Sequence, residues 1–155
     1  MRTGIVLGLF LAAAGGAFAQ GQEEPQPRYG VNPILANYPQ GTPKETLGSV
    51  LKALDRGRVE YVLAHLLDPA FVDDRVRATG GRFEDVVAEV KQKLDEDPET
   101  VKEMRRFLKE GETQEQGDQA SIILKGTEDR MYFRKIGTRW FMENRRQERK
   151  AAERE

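Results

Sequence analysis

At 155 residues, 33% of them charged and 38% hydrophobic, the chain holds apolar material for one modest domain with tails. Its formal charge of −1 singles out no electrostatic partner of either sign. The absence of cysteine excludes disulfides, thiolate metal sites and a cysteine nucleophile.

The chain opens with a short positive start, Met1-Arg2-Thr3. An apolar run from Ile5 to Ala14 and the small-residue site Ala17-Phe18-Ala19 follow. This layout predicts a secretory signal peptide over residues 1–19 and export to the periplasm or the medium. The run falls short of the ~20 residues that a membrane span needs, so no span is expected after cleavage. Cleavage removes Arg2, one of 25 basic residues set against 26 acidic ones, and leaves a net charge of −2. Residues 20–41, with Pro25, Pro27, Pro33 and Pro39, read as a flexible leader. Tyr29, Val31, Ile34, Leu35 and Tyr38 give that leader apolar groups with which to dock on the domain behind it.

The domain is expected over 42–145. Thr42 is placed to cap a helix with Pro43 at its first position and Glu45 completing a T-x-x-E box. Leu47, Val50, Leu51 and Leu54 form its apolar stripe, and Gly57 stops it. A second helix, Val59 to about Leu67, carries Val59, Val62, Leu63 and Leu66 and ends at Asp68-Pro69. Ala70 to Gly81 reads as a short strand or one helical turn. A third helix runs from Arg82 to Leu94 with Phe83, Val86, Val87, Val90 and Leu94 on one side. Asp97-Pro98-Glu99 caps a fourth, ending at Glu110, with Val101, Met104, Phe107 and Leu108 inward.

Glu112 to Gln116 has the charged character of an edge strand turning at Gly117-Asp118. Beyond it, Gln119 to Asn144 reads as a meander. Gly137-Thr138 suits a two-residue hairpin loop, pairing Phe133 with Met142 and Lys135 with Trp140. A four-residue loop at Gly126–Asp129 would pair Leu124 with Met131 and Ile122 with Phe133. Alternation then puts Ala120, Ile122, Leu124, Met131, Phe133, Trp140 and Met142 on one face. The predicted class is α+β, with about four N-terminal helices on one face of a C-terminal antiparallel meander of three to four strands. Residues 146–155 are charged in both signs and read as a solvated tail.

Ala53-Leu54-Asp55-Arg56-Gly57, the helix ending Leu66-Leu67-Asp68-Pro69, and the closing Gly137-Thr138-Arg139-Trp140-Phe141-Met142-Glu143-Asn144 occur in that order. In this the chain resembles the nuclear transport factor two-like (SnoaL/ketosteroid isomerase-like) superfamily, as a reduced variant with fewer strands and an additional helix. The resemblance covers about Thr42 to Arg145. It implies a curved sheet wrapped by helices, frequent homodimerisation through the sheet, and a cavity that some members use for isomerase, dehydratase or cyclase chemistry. No catalytic residue of the family maps onto this sequence.

Candidate chemistry is sparse. His65, the single histidine, falls about 120° from the centre of its helix's stripe, on the flank, with Asp68 as the nearest orienting carboxylate. Tyr61, His65, Tyr132 and Trp140 are the residues expected to line a cavity, should one exist. Asp73-Asp74 and Asp95-Glu96-Asp97 lack the spacing of a calcium loop. The basic and aromatic interleaving from Arg130 to Phe141 imitates a nucleic-acid platform, but export, negative charge and an inward Phe133 and Trp140 oppose it. The other sheet face carries Ile123, Tyr132, Arg134, Ile136 and Phe141, a patch expected to serve a homodimer or an envelope protein partner. These readings favour a non-catalytic exported binding or accessory protein of the cell envelope, with no cofactor and no nucleic acid. An isomerase or dehydratase and a structural envelope protein are the alternatives.

Overall fold

The computed structural model describes residues 25–144; the predicted signal peptide and the charged tail 146–155 lie outside the described residues. Helices α1 (Pro43–Asp55), α2 (Val59–Tyr61, running on into a π-helical turn Val62–Leu66), α3 (Pro69–Ala78), α4 (Phe83–Glu96) and α5 (Pro98–Glu110) come first. Strands β1 (Glu112–Gln116), β2 (Gln119–Ile123), β3 (Arg130–Ile136) and β4 (Arg139–Met142) then form an antiparallel sheet in sequence order. The α+β arrangement is the one predicted, with five helices rather than four.

The Thr42 hydroxyl accepts from the Glu45 N–H at 3.1 Å and caps α1, while the Glu45 carboxylate reaches back to the Gly41 N–H at 2.8 Å. The stripe on α1 then meets the sheet. Leu47, Leu51, Phe107, Ala120, Ile122, Leu124, Phe133 and Trp140 make one buried cluster, with Met104, Met131 and Met142 packed against it. The β3–β4 register is the one predicted, Phe133 opposite Met142 and Lys135 opposite Trp140. The β2–β3 pairing differs by two residues: Ile122 faces Met131 and Ala120 faces Phe133. The loop is longer than four residues, because Leu124 leaves the strand to bond the Asp129 carbonyl. A two-residue shift preserves which side chains face inward, so the apolar face survives.

Ala70 to Ala78 is helical, not a strand or a single turn, and Thr79 to Gly81 form the turn that follows. Asp68 accepts from the Ala70 N–H at 3.1 Å and Pro69 occupies the first turn, so the pair that ends one helix also starts the next. Helices α3 and α4 pack on α2 rather than on the sheet, through Val59, Leu63, Val72, Val76, Phe83 and Val86.

The expected flexible leader is built into the fold from Arg28 onwards. Arg28 and Val31 bridge across a tight turn in which Tyr29 and Gly30 both have positive φ, 51° and 74°. That is the conformation of a type I′ turn, and it is strained for tyrosine. Tyr29 stacks on Phe83 with centroids 4.3 Å apart, and Arg28 pairs with Asp73. Tyr38 is fully buried beside Tyr61, and Gln40 is nearly so.

A candidate binding groove beside a closed histidine site

The Leu67 N–H bonds the Val62 carbonyl at 3.0 Å, an i→i+5 bond, and every residue from Val62 to Leu66 is buried. The wider turn advances each residue by a smaller angle than an α-helix does. A projection at 100° therefore sends His65 to the flank, whereas the protein holds it at 2% exposure. Its Nε2 lies 2.8 Å from the Val31 carbonyl, so that nitrogen carries the proton. Burial lowers the His65 pKa; the bond to Val31 opposes this, and the charges of Arg139 and Arg28 add to it. The predicted partner Asp68 is instead the cap of α3.

The four residues expected around a cavity do not meet. Tyr61 and His65 are in ring contact at 5.0 Å, and the Tyr61 hydroxyl accepts from the Ile34 N–H at 2.9 Å. Trp140 is buried in the sheet core, linked to His65 only through Gln40, whose amide nitrogen donates to both carbonyls at 2.8 and 3.0 Å. Tyr132 is half-buried near the other end of the sheet, where Glu143 donates its N–H to the Tyr132 carbonyl at 2.8 Å.

The outer sheet face also departs from expectation. Phe141 is 3% exposed, with the Arg139 guanidinium 5.0 Å above its ring, so it is not part of an exposed patch. Arg134 is engaged by Glu143 at 3.1 Å and Asp68 at 3.8 Å. Ile136 is exposed, but Gln114 and Ser121 share the face with half-buried Ile123 and Tyr132, and break the apolar surface.

The open apolar space lies elsewhere. A groove of about 560 Å³ runs between the helices and the end of β4. Leu63 and Leu67 form its base, Phe71 and Val72 of α3 one wall, Val86, Val90 and Leu94 of α4 the other, and Met142 its far end. It continues, through Thr100, Met142 and Glu143, into a second section of about 420 Å³ between α5 and β3, with Met104 and Met131 on its floor. The rim is ionic. Glu89 takes both Lys93, at 2.8 Å, and Arg75, and its carboxyl pKa is held down chiefly by the Lys93 bond, with Arg75 adding to it. Glu96 and Asp97 then leave the rim with an acidic excess. Glu143 lines both sections; its side chain is 5% exposed and rests on Arg134.

Sequence reading assigned Val90 and Leu94 to an interior stripe. Both, like Phe71 of α3, are only half-buried, because α3 and α4 pack on α2 and its π turn and not on the sheet, and nothing among the described residues fills the space beside them. Among those residues, no group of three or more histidines and carboxylates is placed to hold a metal ion, and no helix is long and apolar enough to cross a membrane. No protein-family model, curated protein or solved structure matches the chain.

Proposed function

We propose that the protein is an exported, non-catalytic binding module of the cell envelope. Its groove takes the apolar face of a basic amphipathic helix from a protein partner. The observation that carries this reading is the groove itself: an apolar floor inside the size range of ligand sites, open along one side, under a rim of three carboxylates, Glu89, Glu96 and Asp97, and two cations, Arg75 and Lys93. Arg75 and Lys93 are both committed to Glu89, so an incoming helix meets Glu96 and Asp97 as its unneutralised neighbours. Cationic flanks complement that rim, and apolar side chains at i, i+3, i+4 and i+7 complement the floor. Membership of the nuclear transport factor two-like superfamily is supported by helices preceding a meander that ends in Arg139-Trp140. Against catalysis stand the buried, backbone-bonded His65 and the pairing of Glu143 with Arg134.

Two synthetic helices with the same apolar face, one flanked by lysine and arginine and one by glutamate, test the proposal. Titration followed by amide NMR should show the cationic helix shifting Val90, Leu94 and Met142, with Leu94→Glu weakening it about tenfold, some 1.4 kcal/mol. Equal affinity for both helices, or no shift along the groove with either, overturns the reading.

A further inference from the structure

We infer that β1 is a docking edge that takes an extended, cationic strand from a protein partner and so adds a fifth strand to the sheet. No residue of β1 lines the groove, and the two surfaces are independent. β1 and β4 are the edges of the sheet, and they differ. The β4 edge is closed by the chain itself: the Trp140 N–H donates to the Gln40 carbonyl and the Met142 carbonyl accepts from the Asp68 N–H, each at 2.9 Å. All five residues of β1 are exposed, and among the described residues no backbone bond reaches its outer edge.

The register decides which groups that edge offers. The Lys135 N–H donates to the Asp118 carbonyl at 2.8 Å. Bonded pairs alternate along an antiparallel ladder, so Ala120 and Ile122 exchange bonds with β3, while Gln119, Ser121 and Ile123 turn theirs to β1. Their partners on β1 are Gln116, Gln114 and Glu112. The other two residues of the strand, Thr113 and Glu115, therefore aim their N–H and C=O groups outward. They present donor and acceptor together on alternate residues, the pattern an added antiparallel strand requires.

Charge selects the strand. Glu112 and Glu115, with Asp118 in the turn, are the ionised groups of this edge, and none forms an ion pair among the described residues. The neighbouring cations face elsewhere. Lys135 holds its ammonium over the Trp140 ring at 5.8 Å, Lys109 lines the gap between α1 and α5, and Arg106 pairs with Glu110. Arg130 lines a cleft on the outer sheet face with Glu115 and Glu143, but it stands on β3, two strands in from the edge. Glu112 and Glu115 are three residues apart and so point to opposite faces of the sheet. Cations at i and i+3 of the incoming strand meet both. A second copy of β1 brings only further carboxylates, and a like-charge seam opposes that pairing.

The probe is the end-blocked peptide Thr-Thr-Lys-Thr-Thr-Lys-Thr-Thr, added to the full chain. Hydrogen exchange followed by NMR should find the Thr113 and Glu115 amides fast in the free protein and slowed by the peptide, with Gln114 already protected. The same peptide N-methylated at every residue keeps the charge, loses the donors and should not bind. Glutamate in place of both lysines should also abolish binding. Thr113→Pro removes an outward donor without touching the bonds to β2, which edge strands tolerate, and should weaken binding about tenfold. Glu112→Gln with Glu115→Gln should weaken it about threefold and reduce its salt dependence.

Equal binding of the N-methylated peptide would reduce the contact to charge attraction and overturn the inference; this comparison stands even if Thr113→Pro fails to fold. Protection of Thr113 and Glu115 that rises with protein concentration alone would make the occupant a second copy and overturn it too. So would shifts at Leu94 and Met142 with β1 unchanged, which would place the peptide in the groove. Unchanged exchange at Thr113 and Glu115 under millimolar peptide has the same consequence, and leaves the groove's own helix titration unaffected.

Discussion

The Asp68 N–H donates to the Met142 carbonyl across 2.9 Å, and Leu67 bridges the same strand end in parallel. This joins the exit of the π-helical turn to the last residue of β4. It also fixes the base of the groove, since Leu67 and Met142 both line it.

The amide nitrogen of Gln40 serves the carbonyls of His65 and Trp140 from a position only 3% exposed. Gln40→Leu keeps the bulk and removes the donor. The Trp140 carbonyl retains the Thr46 hydroxyl at 3.2 Å, so the loss falls mainly at His65. A destabilisation of about 2 kcal/mol is expected in urea denaturation, the usual cost of a buried acceptor left without its donor. A change below about 0.5 kcal/mol would mean that the bridge contributes nothing.

Tyr38 predicts the opposite sign. Its hydroxyl is buried without a hydrogen-bond partner, while its ring packs on Tyr61 at 4.3 Å. Tyr38→Phe keeps the ring and removes the unsatisfied group, so the melting temperature should hold or rise. A loss above about 1 kcal/mol would show that the hydroxyl has a partner, such as an ordered water.

His65 sets a pH dependence. Its folded pKa lies below the ordinary histidine value because burial disfavours the imidazolium. As pH falls, the unfolded chain takes up the proton first. The contribution to stability is therefore complete above about pH 6.5 and declines below it, until the folded imidazole itself protonates. Unfolding midpoints measured on either side of that value should show the decline, and His65→Gln should flatten it. With a single histidine, the NMR titration is unambiguous, and an imidazole titrating at or above 6.5 would refute the account.

Gly111 closes α5 with an ordinary negative φ, so its requirement is for space. A Cβ there would fall well inside contact distance of the Ile122 side chain and the Phe107 carbonyl oxygen. Gly111→Ala should cost about 1–3 kcal/mol by overpacking the junction of helix and sheet. Ala at the open Gly81, where φ is +83°, should be penalised through backbone conformation instead.

What could be read in advance follows from how local each cause is. The β3–β4 hairpin was legible because Gly137-Thr138 fixes the pairing within a few residues. The β2–β3 pairing was not, since alternation cannot separate registers two residues apart. α3 was hidden by Asp73-Asp74 and only three large apolar residues, Phe71, Val72 and Val76; its sign lay in Asp68-Pro69, which marks a beginning as well as an end. His65 was misplaced because an α-helical projection does not hold through a π turn. The groove had no signature, because Val90 and Leu94 look in sequence like any buried stripe and Phe71 stood in the segment hardest to assign. Their half-exposure comes from α3 and α4 packing on α2 and not on the sheet.

The bond from Gln40 to the Trp140 carbonyl joins positions 100 residues apart, and the Trp140 N–H returns to the Gln40 carbonyl at 2.9 Å. The sheet itself is assembled from sequence neighbours and can zip up hairpin by hairpin. The stretch around Gln40 can settle early on its nearer neighbours, His65 and Tyr61, but its second acceptor comes a hundred residues later. A chain emerging from the ribosome therefore leaves this clasp half closed until the strand bearing Trp140 is out.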